Sequence, residues 1–289
     1  MIDFRDKPKG YEPGIYEMPF EQYRAIPALN SSKLKELRRT PAHFKAALEA
    51  PEKPPTAVQQ KAFNKGTAFD TLLLRGKPHL DAQVAIDLEI NKNKKEYKEF
   101  KAEAEAAGKM ILSQEDYQAC FKMLDASLKK YQWKKIFASA GHPHRILIWK
   151  DEATGLWCKA ELDFLTEDGT LVDLKTTADA GFWFFSRNAR RLGYVNQGAF
   201  YLSGLTAVTG YYHSDFLIAA IEVDPPYESH IFRPSAQQMY EAEDQNKERM
   251  RTLVTCYNRD EWPGYLDCII DLDSGQYEQE YEEDFDSNF

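Results

Sequence analysis

Two neighbouring segments decide how this chain is read: Trp157-Cys158-Lys159-Ala160-Glu161-Leu162-Asp163-Phe164, and then Val172-Asp173-Leu174-Lys175-Thr176-Thr177. Residues 156–166 alternate apolar and polar side chains, the pattern of a half-buried strand. Glu167-Asp168-Gly169 supplies hairpin chemistry, and 170–177 reads as the returning strand. Asp173 and Lys175 are two apart, so their side chains share one face of that strand, while Val172 and Leu174 point to the opposite, buried face. Asp163, on the neighbouring strand, converges on them. Two carboxylates and a lysine gathered on one sheet face are costly as a core arrangement. They fit a divalent-metal site in which oxygen ligands hold the ion and the remaining positions take water and phosphate. In that reading Asp163 and Asp173 are ligands and Leu174 offers only its backbone carbonyl. Lys175 positions the attacking water or stabilises charge developing on the phosphorus. A bare Asp-x-Lys would be an exposed ion pair; the flanking residues set this one apart.

Outward from this centre, 145–150 is a strand, 216–223 an apolar buried strand, and 230–232 a further strand pairing with it. Helices are expected over 194–204 and 235–253. Upstream the texture is helical. Asn30-Ser31-Ser32 caps a short helix, and Pro41 starts another over 41–50. A helix over 56–74 is interrupted at Gly66, a lysine-rich segment leads into a polar helix ending near Gly108, and Ser113 opens a helix to about 130. Strands grouped after helices give an α/β or α+β fold, with one mixed central sheet flanked by helices. Residues 1–270 form one domain, helical over about 12–140 with the sheet core over about 141–255.

The chain has 289 residues, 43 % apolar and 29 % charged, which suits one sizeable globular core. No apolar run approaches the roughly 20 residues that span a bilayer, and the first residues lack a signal peptide's apolar stretch, so a cytoplasmic location is expected. Cys120, Cys158, Cys256 and Cys268 are widely spaced and form no CxxC pair. This disfavours a zinc or iron–sulfur site and predicts buried, reduced thiols. The net charge of −9 is concentrated: residues 271–289 hold eight acidic side chains and no lysine or arginine, which leaves about −1 for the rest. That tail reads as disordered, and a near-neutral body still has room for a local basic groove.

The two segments resemble the PD-(D/E)XK core of the exonuclease VIII (RecE-type) family. Gln197-Gly198-Ala199-Phe200-Tyr201 is similar to the Q-x-x-x-Y motif which that branch shares with RecB-type nucleases. Gly14-Ile15-Tyr16, Asn30-Ser31-Ser32-Lys33-Leu34, Pro41-Ala42-His43-Phe44-Lys45 and Gly66-Thr67-Ala68-Phe69-Asp70 resemble the family's N-terminal helical segments, so the likeness runs over about residues 12–250 in order. It implies a restriction-endonuclease-like core and a Mg²⁺ or Mn²⁺ site. It also implies 5′-to-3′ digestion of one strand from ends of linear double-stranded DNA, leaving single strands for recombination. A ring-like homo-oligomer and a single-strand-annealing recombinase as partner, in a bacterial host cell, are implied as well. Gln197 and Tyr201 are expected to orient the metal shell or the phosphate.

Three positions depart from the family pattern. Asp70 stands where the family has a histidine near the metal, and its carboxylate serves as a ligand. His144 stands where the family often has a glutamate, so Asp70 and His144 read as a paired exchange of acidic and imidazole roles. For His142 and His144 as a pair, a loop without function is the preferred reading and the exchange the alternative. Glu161 replaces a common arginine. DNA contacts are expected from Arg187, Arg190 and Arg191, and from Lys33 and Lys35 with Arg38 and Arg39. Phe182, Trp183, Phe184 and Phe185 read as core or subunit interface in preference to a base-stacking platform. Two alternatives to the exonuclease remain: an endonuclease or flap nuclease of the same superfamily, and a DNA-binding or assembly module whose metal site has decayed.

Overall fold

The computed structural model describes residues 2–51, 53–87 and 91–269. The N-terminal part comprises β1 (Gly14–Tyr16), α1 (Phe20–Ala25), α2 (Ser31–Glu36), α3 (Pro41–Glu49), α4 (Ala57–Arg75), α5 (Lys77–Gln83), β2 (Val84–Ile86), α6 (Lys95–Ala106), β3 (Met110–Leu112), α7 (Gln114–Leu128) and α8 (Tyr131–Phe137). The core follows as β4 (Gly141–Lys150), β5 (Trp157–Thr166), β6 (Leu171–Thr177), α9 (Phe182–Leu192), α10 (Tyr194–Thr209), β7 (Phe216–Glu222), β8 (Ser229–Phe232) and α11 (Ala236–Arg259). The acidic segment 271–289 lies outside the described residues.

The main sheet has the order β1-β4-β5-β6-β7-β8. Its β6–β7 pair is parallel and its other pairs are antiparallel. This is the mixed sheet expected. The parallel pair needs a crossover, and the chain uses two helices for it, α9 and α10, where the sequence suggested only the second. Strand β7 is flanked on both edges, and its residues are buried on both faces. Phe216, Ile218 and Ala220 join one core, and Leu217, Ala219 and Ile221 the other. The first core is closed by α2, α3, α9, α10 and α11, and the second by α4, α5, α7 and α8. Helices thus cover both faces of the sheet.

The capping predicted from sequence is present. Asn30 Oδ1 accepts the Lys33 N–H at 2.9 Å, Pro41 begins α3, and Ser113 accepts the Asp116 N–H at 3.0 Å. Gly66 does not interrupt its helix: α4 runs continuously through it. Its role is proximity, because a Cβ there would stand 3.2 Å from Thr176 Oγ1 on β6. Of the four cysteines, Cys120, Cys158 and Cys256 are buried as expected, whereas Cys268 is exposed. Among the described residues no helix is long and apolar enough to cross a membrane.

Strand β5 has an unusual set of neighbours. On one edge it pairs with β4 along its whole length. On the other it pairs with β6 only at Phe164–Val172 and Leu165–Leu171. Further along that edge the N-terminal segment takes over: the Leu29 N–H donates to Trp157 O at 2.9 Å, and the Lys159 N–H donates to Leu29 O at 2.8 Å. The same segment holds the Lys159 side chain, which is only 2 % exposed. Its ammonium donates to the carbonyls of Tyr23 (2.7 Å), Arg24 (3.1 Å) and Ile26 (2.7 Å), and lies 4.6 Å from the centre of the Tyr23 ring. Burial, followed by the nearby Lys33 and Arg24 charges, lowers its pKa to about 8.

The tightest helix–sheet approach is at Gly198 of α10, where a Cβ would lie 2.3 Å from the buried Phe216 ring. Gly198→Ala is therefore expected to push α10 off β7 and destabilise the protein by about 1–3 kcal/mol, read as a lower urea midpoint at unchanged slope. An unchanged midpoint would show that the ring yields without cost.

Candidate active site

Between the two stretches where its second edge is paired, β5 runs past β6 without a ladder. Asp163 stands at this fork, where its Oδ2 accepts the Leu174 N–H at 2.7 Å. A side chain thus takes the backbone donor that a strand neighbour would otherwise satisfy. Extended by one residue, the register that pairs Phe164 with Val172 sets Asp163 beside Asp173. The register that pairs Pro143 with Phe164 and Arg145 with Leu162 sets His144 beside Asp163. His144 itself adopts a left-handed backbone, φ 51°, which costs energy for a residue with a Cβ.

Asp173 is 1 % exposed. Lys175 Nζ stands 2.6 Å from its Oδ2, and Asp173 Oδ1 is buried without a hydrogen-bond partner. Burial raises the Asp173 pKa against the lowering effect of Lys175. Burial, and then the Asp173 charge, also raise that of Asp163. For Lys175, burial favours the neutral amine, but Asp173 and Asp163 outweigh it, so its pKa rises and it stays cationic. The Tyr194 ring centre lies 5.0 Å from its Nζ, a cation–π contact.

Helix α4 delivers Asp70 one turn beyond Gly66, whose close approach to β6 lets the helix lie near the strands. His144 Nε2 is 3.0 Å from Asp70 Oδ1, and His144 Nδ1 is 3.8 Å from Glu161 Oε1. Burial opposes the charged imidazole, yet the Asp70 hydrogen bond and charge raise its pKa overall. Glu161 is pushed up by burial, with Asp70 adding to the rise. Asp70 and His144, far apart in sequence, thus form one hydrogen-bonded pair beside Asp163, and His142 and His144 lie in strand β4 instead of the loop expected.

Helix α10 contributes the other side. Gln197 Nε2 donates to Tyr201 Oη at 2.7 Å, and the Tyr201 phenol is pushed up by burial and then by the Asp173 charge. Beyond Gln197 opens a cavity of about 220 Å³ lined by Ser31, Lys35, Arg38, Tyr194, Gln197 and Arg249, among others. Burial and the neighbouring Arg38 charge lower the Arg249 pKa against the raising effect of Glu248. Lys35 is thus at the site, while Lys33 stands 5.2 Å from the centre of the Phe4 ring. Arg187, Arg190 and Arg191 lie along α9, exposed. The aromatic run beside them divides: Phe185 is core, but Phe182, Trp183 and Phe184 are exposed, contrary to the core reading. Sequence reasoning missed Tyr194 and Arg249. Nothing local marks either; Arg249 is brought in by α11 from the far end of the chain.

The model for the PDDEXK-like domain of unknown function (DUF3799) matches residues 30–270. The chain belongs to that family. A likeness in fold accompanies it. The crystal structure of a candidate exonuclease from Eubacterium rectale superposes with a TM-score of 0.57 at 16 % identity, covering 90 % of this chain and 99 % of that one. No curated protein matches the chain. The membership gives the fork its frame, since the hairpin carrying Asp163, Asp173 and Lys175 lies within the matched PDDEXK-like domain. Among the described residues no three His, Cys, Asp or Glu side chains are already gathered as a metal-ligand set. The donors nevertheless suit a hard divalent cation: carboxylates in a buried place, with Asp173 Oδ1 lacking a hydrogen-bond donor.

The raised carboxylate makes a stability prediction for the metal-free protein. Folding raises the Asp163 pKa, so the native state holds more protons than the unfolded chain between the two values, and stability falls as pH rises through that window. Asp163→Asn keeps an acceptor for Leu174 and removes the charge. In EDTA at pH 8 it is expected to stabilise the fold by roughly 1–2 kcal/mol, a gain that vanishes below about pH 3, where the carboxyl is protonated in both states. Urea melts at the two pH values check it; an equal effect at both would point to packing instead of charge.

Proposed function

We propose that this protein is a divalent-metal-dependent deoxyribonuclease that digests linear double-stranded DNA from its ends. The observation that carries the reading is the buried fork itself: Asp163 and Asp173 set side by side, with a cationic Lys175 at 2.6 Å from the second. No core needs this arrangement, and phosphodiester hydrolysis uses each member. Asp163, Asp173 and Asp70 would hold Mg²⁺ or Mn²⁺, with the Leu174 carbonyl as a further ligand. The ion, when bound, supplies Lewis-acid polarisation of a phosphate oxygen.

The chain's own residues do the rest. His144 fixes the Asp70 carboxylate through its Nε2 contact, in the manner of the outer groups that orient metal ligands. Lys175, held charged by its two aspartates and faced by Tyr194, stands ready to orient the attacking water and offset charge that builds on the phosphate. Gln197 and Tyr201, hydrogen-bonded to each other on one face of α10, would orient the metal shell or the phosphate. The cationic cavity beside Gln197 would receive a neighbouring backbone phosphate, with Lys35, Arg38 and Arg249 in its lining to pair with it. Digestion in the 5′-to-3′ direction and a role in recombination belong to the same proposal.

The protein is expected to degrade linear duplex DNA with Mg²⁺ or Mn²⁺ and to leave covalently closed circles intact, with no hydrolysis in EDTA. Asp173→Ala should abolish the activity, and Lys175→Ala should lower the rate by about 10²–10³-fold. Replacing both Asp70 and His144 with Ala should weaken metal affinity and rate together. Cutting of circles would make the protein an endonuclease of the same chemistry. Absence of hydrolysis with either metal would leave a binding module.

A further inference from the structure

We propose that the outward face of α9 is a stacking track for unpaired nucleotides, in which Trp183 and Phe184 hold bases and Arg187, Arg190 and Arg191 hold the phosphates of the same strand. Where that strand leads rests on the nuclease reading; the binding itself does not.

The helix is two-sided. Phe185 and Ala189 face the core, and the Phe185 ring stacks on Phe232 at 4.6 Å. Trp183, Arg187 and Arg190 are spaced i, i+4, i+7 and share the opposite side. Phe184 and Arg191, seven apart, border it. Trp183 is 64 % exposed and Phe184 44 %, large apolar surfaces for water to cover. α9 contains no acidic residue, and among the described residues none of its three arginines has a carboxylate within salt-bridge distance. A protein partner would meet this face with apolar and acidic groups. A nucleic-acid strand meets it with π-faces and phosphates at alternating positions, which is what one aromatic turn followed by two basic turns presents.

The face also leads to the candidate active site. α9 follows directly from β6, the strand of Asp173 and Lys175. At the other end of the helix, Arg38 donates to the carbonyls of Arg191 (3.0 Å) and Arg190 (3.5 Å). Arg38 lines the cationic cavity with Tyr194, and Tyr194 faces Lys175. No acidic side chain lines the cavity between the end of α9 and Tyr194, which joins the arginines of the helix to the aromatic ring facing Lys175.

Trp183 makes the test direct. Trp133, Trp149 and Trp157 are buried, and Trp262 is stacked on Phe44 and edge-on to Tyr257, which leaves Trp183 as the tryptophan a strand would touch. The full chain in EDTA, where no hydrolysis occurs, is titrated with fluorescein-labelled oligothymidylate. Tryptophan emission and probe anisotropy are followed together. Quenching that tracks the anisotropy is expected. Trp183→Phe should bind nearly as well and lose the quench, whereas Trp183→Ala should bind roughly tenfold more weakly or worse. Changing Arg187, Arg190 and Arg191 together to Gln should flatten the salt dependence of log K by about 2. Unchanged binding by a Trp183→Ala protein with native circular dichroism would overturn the inference. So would self-association of the protein without DNA, read by sedimentation and lost in Trp183→Ala, since the face would then join two copies of the chain. The inference and the nuclease reading fail separately: binding with quench but no hydrolysis on adding metal removes only the second, and hydrolysis without quench removes only the first.

Discussion

Strand β5 has two edges to satisfy, and on one of them β6 leaves before the strand ends. Backbone donors and acceptors buried without partners would be expensive there. The molecule resolves this by giving the far stretch to the N-terminal segment and closing the fork itself with a carboxylate, Asp163 on the Leu174 N–H. The gap between two strands thus becomes a place where charged side chains are held at fixed spacing, away from bulk water. Such a place is difficult to make elsewhere in a sheet, whose ladders normally run unbroken. Everything else around the candidate site serves to keep that gap open and aligned.

The supporting elements do so by close approach. Gly66 allows α4 to lie on Thr176, and with it Asp70 to reach His144. Gly198 allows α10 to lie on Phe216, and with it Gln197 and Tyr201 to face the fork. In both helices the glycine is within one turn of a polar residue that matters, so packing and chemistry are set by the same short motif. The balance of charge follows the same economy. One lysine serves two aspartates whose carboxyl groups are raised by burial, which leaves the cluster more acidic than it can comfortably be alone. Functional sites commonly carry stability costs of this kind.

The sequence made the centre legible because strand periodicity is local. Alternation around Asp163 and Asp173 puts the carboxylates on a shared face whatever the rest of the chain does, and the hairpin between them is short. The resemblance supplied Gln197, Tyr201 and the Asp70–His144 exchange, and the last two stand 3.0 Å apart. What stayed hidden depends on tertiary neighbours. Helix α9 was not foreseen because its aromatic block reads as buried core, while its helical faces separate only Phe185 from the other three rings. The cavity lined by Arg38, Tyr194 and Arg249 joins three distant parts of the chain, and no window of sequence contains it. Gly66 misled in the usual direction: helix propensity counts it as a break, whereas helix–strand proximity requires it.

The Lys159 clamp has a bearing on where the domain begins. The family match starts at residue 30, yet every carbonyl that receives the Lys159 ammonium lies before that point, on Tyr23, Arg24 and Ile26. Strand β1, which covers the outer edge of β4, lies there too. A chain trimmed to the matched span would strand a buried cation and uncover the backbone of β4, an edge open to pairing with other chains. The first thirty residues are therefore part of the folding unit, and they belong to it through hydrogen bonds to backbone atoms. Carbonyl acceptors are common to all residue types, so the clamp leaves its own positions free, whereas Phe4, Ile26, Ala28 and Leu29 bind the segment to the core through side chains shut away from water.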